Sequence, residues 1–206
     1  MQGDAERVGT RTHWDEVYRS KPVDSVSWYQ DKPAVSLRLV TSVGAAACAL
    51  VDVGAGAATL ADELVAAGWT DVTVLDVSAE AVALVRERLD DEVQVVVTDL
   101  LEWRPERKYD VWHDRAVLHF LVDAESQSRY VEVAGTAVRR GGALVIGVFA
   151  LDGPEQCSGL PTSRYDAEGL QRLFAPSFAL DHSESEVHTT PAGVAQSFTW
   201  AVLRRL

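Results

Sequence analysis

The sequence predicts an α/β protein built around a mostly parallel β-sheet. Apolar, β-branched segments alternate along the chain with amphipathic segments of helical period. The apolar segments lack a polar face, as expected of strands that helices cover on both sides. The last two, residues 178–188 and 196–203, have only a short loop between them. We predict that these two pair antiparallel, because a parallel pair needs a long crossover.

Start and stop signals place the elements in order. Thr12 and Pro33 stand at the starts of two predicted helices, where a capping hydroxyl and a proline are favoured. Gly68 ends the helix after the first strand, Ser78 caps the next, and a turn at residues 141–142 precedes the fifth strand. The predicted helices are residues 12–18, 33–43, a segment ending at 67, 79–89, 124–138 and 166–174. The predicted strands are residues 49–53, 72–77, 93–98, 109–113, 143–149, 178–188 and 196–203.

A glycine turn follows the first predicted strand. Gly54 and Gly56 let the backbone turn sharply and approach a ligand where a Cβ would clash. The amides of the next helix start then face the bound group. Asp76 ends the second strand, about 20 residues past the turn, where a carboxylate can accept both hydroxyls of a ribose. The pattern therefore predicts a nucleotide-like cofactor.

The acid before this turn indicates which cofactor. Asp52 would repel a pyrophosphate, and Ala58 and Thr59 stand where the dinucleotide fingerprint has its third glycine. A phosphate-free cofactor with a cationic amino-acid part, such as S-adenosylmethionine (SAM), fits this acid better. The sequence resembles the class I SAM-dependent methyltransferases in four segments: residues 51–56, 75–76, 98–100 and 139–142.

This resemblance implies a Rossmann-like three-layer sandwich with a seven-stranded sheet in the order 3-2-1-4-5-7-6, the last strand antiparallel. It also implies a set of cofactor-binding residues: Asp52, Gly54, Ala55, Gly56, Asp76, Val77, Asp99 and Leu100. The glycine turn would run beneath the methionine and ribose, Asp52 would act on the ammonium and Asp76 would accept from the ribose. Val77 and Leu100 would contact the adenine ring, and Asp99 would accept from its amino group. The alternatives are a surface acid for Asp76 and a turn-forming acid for Asp99.

The fourth predicted strand ends in His-Asp-Arg-Ala-Val, where parallel sheets form their clefts. The Asp-Arg-Ala run resembles the thiopurine and tellurite-resistance type methyltransferases, which implies that Arg115 faces SAM or an anionic acceptor. His113 is predicted to take a proton from the acceptor, since its ordinary pKa of about 6.5 suits a general base. The alternatives are an Asp114–Arg115 ion pair with His113 in the core, and His188 as the base. His119 is expected in a second layer.

Aromatic residues are frequent near the amino terminus. Trp14 and Tyr18 are four residues apart and share a helix face, and Trp28 follows after a loop. The Trp-x-x-x-aromatic pattern resembles thiopurine-type enzymes, which implies a lid over the cofactor. Aromatic faces attract a sulfonium by about 1–2 kcal/mol when it is desolvated. The alternative is hydrophobic packing on the sheet edge.

Composition limits the partners. The chain of 206 residues has a formal charge of −12, which disfavours nucleic acid, because phosphate contacts need grouped Lys and Arg. The sequence has no run of about 20 apolar residues, so no membrane span is predicted. The two cysteines lack the spacing of a metal site. We expect a cytoplasmic monomer or homodimer without a metal. Residues 1–45 would form a helical lid segment that begins with a disordered leader over residues 1–11, and residues 46–206 would form the methyltransferase domain.

The expected reaction moves the methyl group of SAM to a small-molecule acceptor and leaves S-adenosylhomocysteine (SAH). A protein lysine methyltransferase is an alternative, because the Trp-Asp-x-x-Tyr start also resembles some of those enzymes. A non-catalytic SAM-binding module would bind SAM and leave it intact. A nicotinamide dehydrogenase would bind NAD more tightly than SAM.

Overall fold

The computed structural model describes residues 10–206, which form a central sheet and a short hairpin. The sheet strands are β1 Leu50–Val53, β2 Val72–Asp76, β3 Gln94–Val97, β4 Tyr109–Arg115, β5 Val138–Phe149, β8 Phe178–Thr189 and β9 Ala195–Arg205. The hairpin consists of β6 Gln156–Cys157 and β7 Leu160–Pro161. The sheet order is β3-β2-β1-β4-β5-β9-β8, with β1 to β5 parallel and β9 antiparallel to both neighbours. When only the strands of this sheet are numbered, β8 is the sixth and β9 the seventh. The predicted order 3-2-1-4-5-7-6 and the antiparallel last strand are therefore confirmed.

The helices begin and end close to their predicted positions. They are α1 Arg11–Ser20, α2 Ala34–Val43, α3 Leu60–Ala66, α4 Ala79–Leu89, α5 Ala124–Ala137 and α6 Ala167–Phe174. Ser78 caps α4 as predicted, since its Oγ accepts from the amide of Ala81 at 3.2 Å. Thr12 was expected at the start of α1 but lies inside it, because the helix already begins at Arg11. The leader predicted for residues 1–11 falls, over residues 1–9, outside the described residues.

Helices cover both faces of the sheet. Leu50 and Val51 are consecutive in β1 and belong to opposite core clusters, as the period of two in a strand requires. Tyr130 of α5 lies in the cluster of Val51, and Leu64 of α3 lies in that of Leu50. The three-layer arrangement is therefore the predicted one. No described helix has the length and apolar content needed to cross a membrane.

The start of β5 differs from the prediction. A turn was expected at residues 141–142, but β5 begins at Val138, and its pairing with β4 shifts so that residues 139–142 form a bulge. A Cβ on Gly142 would lie 2.9 Å from the carbonyl oxygen of Asp110. The glycines therefore permit a close backbone approach at a bulge. The β6–β7 hairpin has no counterpart among the predicted elements.

Candidate functional site

A cavity of about 660 Å³ opens at the carboxyl ends of the parallel strands. Its wall runs from Asp99, after β3, past Asp76 and Gly54 to Arg115 at the end of β4 and Phe149 at the end of β5. The start of the antiparallel β9 closes the far side. We call the part lined by Gly54, Asp76 and Asp99 the β1–β3 half, and the part from Arg115 to Phe149 and β9 the β5–β9 half. Ligands of parallel α/β sheets bind at this edge.

Most of the predicted site residues meet in this cavity. Asp52, Ala55 and His113 instead line a second pocket of about 50 Å³, which shares Tyr18, Trp28, Gly54 and Arg115 with the cavity. Gly56 lies in the turn and lines neither space. The predicted residues found in the cavity wall are Trp14, Tyr18, Trp28, Gly54, Asp76, Val77, Asp99, Leu100 and Arg115.

Asp76 is held in the wall by two backbone amides. Its Oδ2 accepts from the amide of Gly56 and its Oδ1 from that of Ser78, both at 2.8 Å. The pKa of Asp76 is raised to about 6, mainly by burial and also by the charge of Asp52, while the two amides act in the opposite direction. Each carboxylate oxygen has a further lone pair, so the group can accept from two neighbouring hydroxyls of a ligand.

The glycine turn is filled by the chain's own side chains. Gly54 and Gly56 have φ angles of 60° and 56°, in the left-handed region that other residues adopt at a cost. A Cβ on Gly54 would lie 1.9 Å from Cγ2 of Val117, and one on Gly56 would lie 2.1 Å from Oη of Tyr18. The sequence suggested that a ligand would approach here. The structure instead uses these glycines to seat Val117 and Tyr18 against the turn.

Asp99 lies in the wall directly after β3. Its Oδ1 accepts from the amide of Leu101 at 2.8 Å, the local bond that a turn-forming aspartate makes. Leu100 beside it is 8% exposed and also lines the cavity. Asp99 therefore has the turn-forming role considered above and, at the same time, a place beside any ligand of the β1–β3 half.

Three buried polar residues form a hydrogen-bonded series behind the turn. Nδ1 of His113 lies 2.6 Å from Oδ1 of Asp52, and its Nε2 lies 2.9 Å from Oγ of Ser36. His113 was expected to face the acceptor, but α2 brings Ser36 onto its ring, and both ring nitrogens are engaged within the chain. Its environment is that of the alternative, a histidine satisfied in the core.

Asp114 stabilises the turn after β4. It accepts from the hydroxyl of Tyr130 at 2.6 Å and from the amides of Val117 and Leu118 at 2.9 and 3.1 Å. Burial raises its pKa to about 6, against the lowering effect of these bonds. The alternative of an Asp114–Arg115 ion pair is therefore wrong, because the carboxylate points to α5 and to the turn amides.

Arg115 enters the cavity as a cation. Its Nη1 donates to the carbonyl oxygen of Trp28 at 2.9 Å, and its guanidinium carbon lies 4.9 Å from the ring centroid of Phe198. Its Nε and Nη2 are buried without a hydrogen-bond partner among the described residues. Burial lowers its pKa to about 10, so it stays charged at neutral pH.

α1 brings aromatic side chains over the cavity. Oδ1 of Asp15 accepts from the hydroxyl of Ser78 at 2.6 Å and so ties α1 to the start of α4. The rings of Trp14 and Tyr18 lie 5.8 and 6.2 Å from that of Trp28, in edge-to-face contacts. The three aromatic residues predicted to form a lid thus pack on one another while lining the wall.

In the β5–β9 half, sequence reasoning identified Arg115 but missed His119 and Phe198. His119 is fully buried, lines the wall, and lies with its ring 4.3 Å from that of Phe149. Phe198 of β9 joins them through the sheet order. The available signal was the predicted antiparallel strand beside β5, which brings residues near position 198 to this edge. His188, considered as the base, is outside the wall and places Nε2 2.7 Å from the carbonyl oxygen of Ser27.

Comparisons with known proteins agree with this geometry. Residues 50–142 match a family model described as a methyltransferase domain. The N-methyltransferase NodS from Bradyrhizobium japonicum, solved with SAH, is 17% identical, with a TM-score of 0.72 over 94% of this chain and 98% of that one. The 1,6-didemethyltoxoflavin-N1-methyltransferase from Burkholderia thailandensis, solved with 1,6-didemethyltoxoflavin and SAH, is 19% identical (TM-score 0.69; 95% and 83%). TehB from Haemophilus influenzae is 15% identical (TM-score 0.69; 94% and 67%). At such identities these structures show the fold alone.

No match was found among curated protein sequences. The family match covers β1 to the start of β5 and so contains the glycine turn, Asp76 and Arg115. The sheet order extends the agreement to the terminal hairpin of β8 and β9. Residues 50–142 thus match a methyltransferase domain, and the chain shares its fold with the methyltransferases solved with SAH.

Proposed function

We propose that the β1–β3 half of the cavity holds SAM and that the β5–β9 half receives a small-molecule acceptor. The observation that carries this proposal is Asp76, a buried carboxylate in the wall whose oxygens can accept from two ribose hydroxyls. Val77 and Leu100 offer apolar contacts for the adenine, and Asp99 is the acceptor for its amino group. Asp52, behind the turn, favours the ammonium group by its charge.

Calorimetric titration with SAM, SAH and NAD tests this site. We expect SAM and SAH to bind and NAD to bind more weakly, because the acid of the first strand disfavours a pyrophosphate. Tighter binding of NAD would contradict the proposal. Binding of SAM without any labelled product would favour the non-catalytic module.

The chain's contribution to methyl transfer is positioning and the exclusion of water. When bound, SAM supplies a methyl group on a positively charged sulfur, and its transfer leaves SAH. The cavity wall includes Trp14, Tyr18 and Trp28. Their ring faces would attract the sulfonium of SAM by about 1–2 kcal/mol. This lid role, and the division into residues 1–45 and 46–206, are parts of the proposal.

A small-molecule acceptor is supported by the walls of the β5–β9 half, which include the rings of Phe120, Phe149 and Phe198. The toxoflavin enzyme of the same fold was solved with bound 1,6-didemethyltoxoflavin. A radiolabelled-methyl screen of cell extract, separated into protein and metabolite fractions, tests this choice. Label in the metabolite fraction is expected, and label confined to protein would instead favour the lysine methyltransferase.

The role of His113 as a base stays a prediction. His113→Gln should lower turnover about 100-fold, the scale of general-base catalysis, while SAM affinity is retained. Ser36→Ala is the matched control, because it removes only the partner of Nε2. If both variants lose turnover equally, His113 positions Asp52 and α2 and does not accept the proton.

We also propose a cytoplasmic monomer or homodimer that does not act on nucleic acid. The formal charge of −12 supports the last point. Cys48 and Cys157 are both free thiols, which suits a reducing compartment. Sedimentation analysis measures the oligomeric state.

A further inference from the structure

The β5–β9 half contains polar atoms that the proposed SAM site leaves unused. Nε and Nη2 of Arg115 and both ring nitrogens of His119 are buried and have no hydrogen-bond partner in the part of the chain described. Buried polar atoms in folded proteins nearly always have a partner, and each exception requires an explanation. Two such residues in one cavity wall indicate a ligand group that completes them.

The charges indicate what kind of group this is. Arg115 is a cation, and burial together with that cation lowers the pKa of His119 to about 3, which keeps its ring neutral. A neutral imidazole has one N–H donor, and this donor joins the unpaired N–H groups of the guanidinium. Several donors and one fixed positive charge match an anionic group.

Glu186 of β8, the strand beside β9, does not already serve as the anion for Arg115. The charge of Glu186 acts on Arg115, but its Oε1 accepts from Nε2 of Gln30 at 3.0 Å and its Oε2 from Nε1 of Trp200 at 2.7 Å. Both of its oxygens are thus engaged by other donors. A buried cation that contacts no anion is unfavourable, so binding an anion here is favoured.

The surrounding rings indicate the shape of the ligand. The ring of His119 lies 4.5 Å from that of Phe120 and 4.3 Å from that of Phe149. Phe198 lies under the Arg115 guanidinium. Aromatic walls at such distances favour a flat, apolar body through stacked and edge-to-face contacts.

We propose that Arg115 and His119 form a subsite for an anionic group carried by a flat, apolar methyl acceptor. The inference rests on the proposed function, since it concerns the second ligand of the same cavity. Because Arg115 also lines the small pocket of Asp52, the carboxylate of SAM is the competing ligand for this cation. The guanidinium lies over Phe198 of β9, two strands beyond β4 and on the opposite side from β2, which carries Asp76.

The test uses the SAH-loaded protein and two probes of nearly equal shape, 2-naphthoate and 2-naphthamide, titrated by calorimetry. We expect 2-naphthoate to bind at least tenfold more tightly. Arg115→Met should remove this preference, and His119→Phe, which keeps a ring without nitrogens, should weaken 2-naphthoate about fivefold and 2-naphthamide less. Arg172→Met and His182→Phe are the controls, because both side chains are largely exposed, and they should change neither affinity.

Equal affinities of the two probes for the native protein would overturn the inference without any variant, so it stays falsifiable if a variant does not fold. Retention of the preference in Arg115→Met would also overturn it. A third contrary outcome is that Arg115→Met weakens SAH tenfold but leaves 5′-methylthioadenosine unchanged, because the arginine then holds the cofactor carboxylate. Failure of the native protein to bind SAH would instead remove the proposed function itself.

Discussion

The two halves of the cavity differ in how their polar groups are satisfied. In the β1–β3 half, Asp76 already accepts from two backbone amides, and Asp99 accepts from a third. In the β5–β9 half, Arg115 and His119 have nitrogens without partners among the described residues. The first half is therefore held in place by local turns before any ligand binds. We propose that the second is completed by the acceptor, which would make it the part that discriminates among acceptors.

The largest expected effect concerns the satisfied half. Asp76→Ala should weaken SAM by about 3 kcal/mol, or more than 100-fold, because hydrogen bonds to a charged group contribute about 1.5–3 kcal/mol each. Calorimetry measures the affinity, and a thermal melt shows whether the variant is folded. Asp91→Ala, at an exposed acid, is the control. Equal SAM affinity in both variants would remove Asp76 from the site.

A smaller effect tests how the turn is held. Gly56→Ala should lower the free energy of unfolding by about 2 kcal/mol more than Gly68→Ala, because overpacking is added to the backbone strain. Gly68 also has a positive φ, 89°, but no atom lies within 4 Å of its added Cβ. Urea unfolding measures both. Tyr18→Phe should recover much of the excess, since it removes the oxygen that lies 2.1 Å from the new Cβ. A Gly56 effect no larger than that of Gly68 would contradict this account.

The same difference explains what could be predicted from the sequence. Gly54, Asp76 and Asp99 each follow or end a strand whose apolar run is visible, so one strand-end rule located all three. The capping role of Ser78 was predicted from its place before an amphipathic run. The sheet order was implied by the family resemblance and then confirmed. Features that depend on residues within about 20 positions of one another could thus be predicted from the sequence.

Features that depend on contacts between distant segments could not be predicted from the sequence. His119 was expected in a second layer, but contacts with distant segments, such as that with Phe149 of β5, place it in the cavity wall. The engagement of His113 depends on Ser36, in a helix that precedes the first strand. The ion pair considered for Asp114 is replaced by a bond to Tyr130, which only the packing of α5 on the sheet brings near. Sequence spacing contains no information on such contacts.

The smallest expected effect is a pH dependence that belongs to the β1–β3 half. Burial raises the pKa of Asp76 to about 6, and ribose hydroxyls donate to its ionised form. SAM affinity should therefore fall about tenfold from pH 7 to pH 5, since the ionised fraction falls by that factor.

Stability should respond in the opposite direction, which gives the prediction its control. Because the pKa of Asp76 is higher in the folded than in the unfolded chain, its contribution to the free energy of unfolding decreases as pH rises from about 4 to about 6. Asp114 has a similarly raised pKa but lies outside the cavity wall, so the native protein is compared with Asp76→Asn. The variant should lose the pH dependence of SAM affinity and keep the part of the stability profile that Asp114 contributes. If SAM affinity falls tenfold in the variant as well, the titrating group lies elsewhere, and the β1–β3 half is not organised around Asp76.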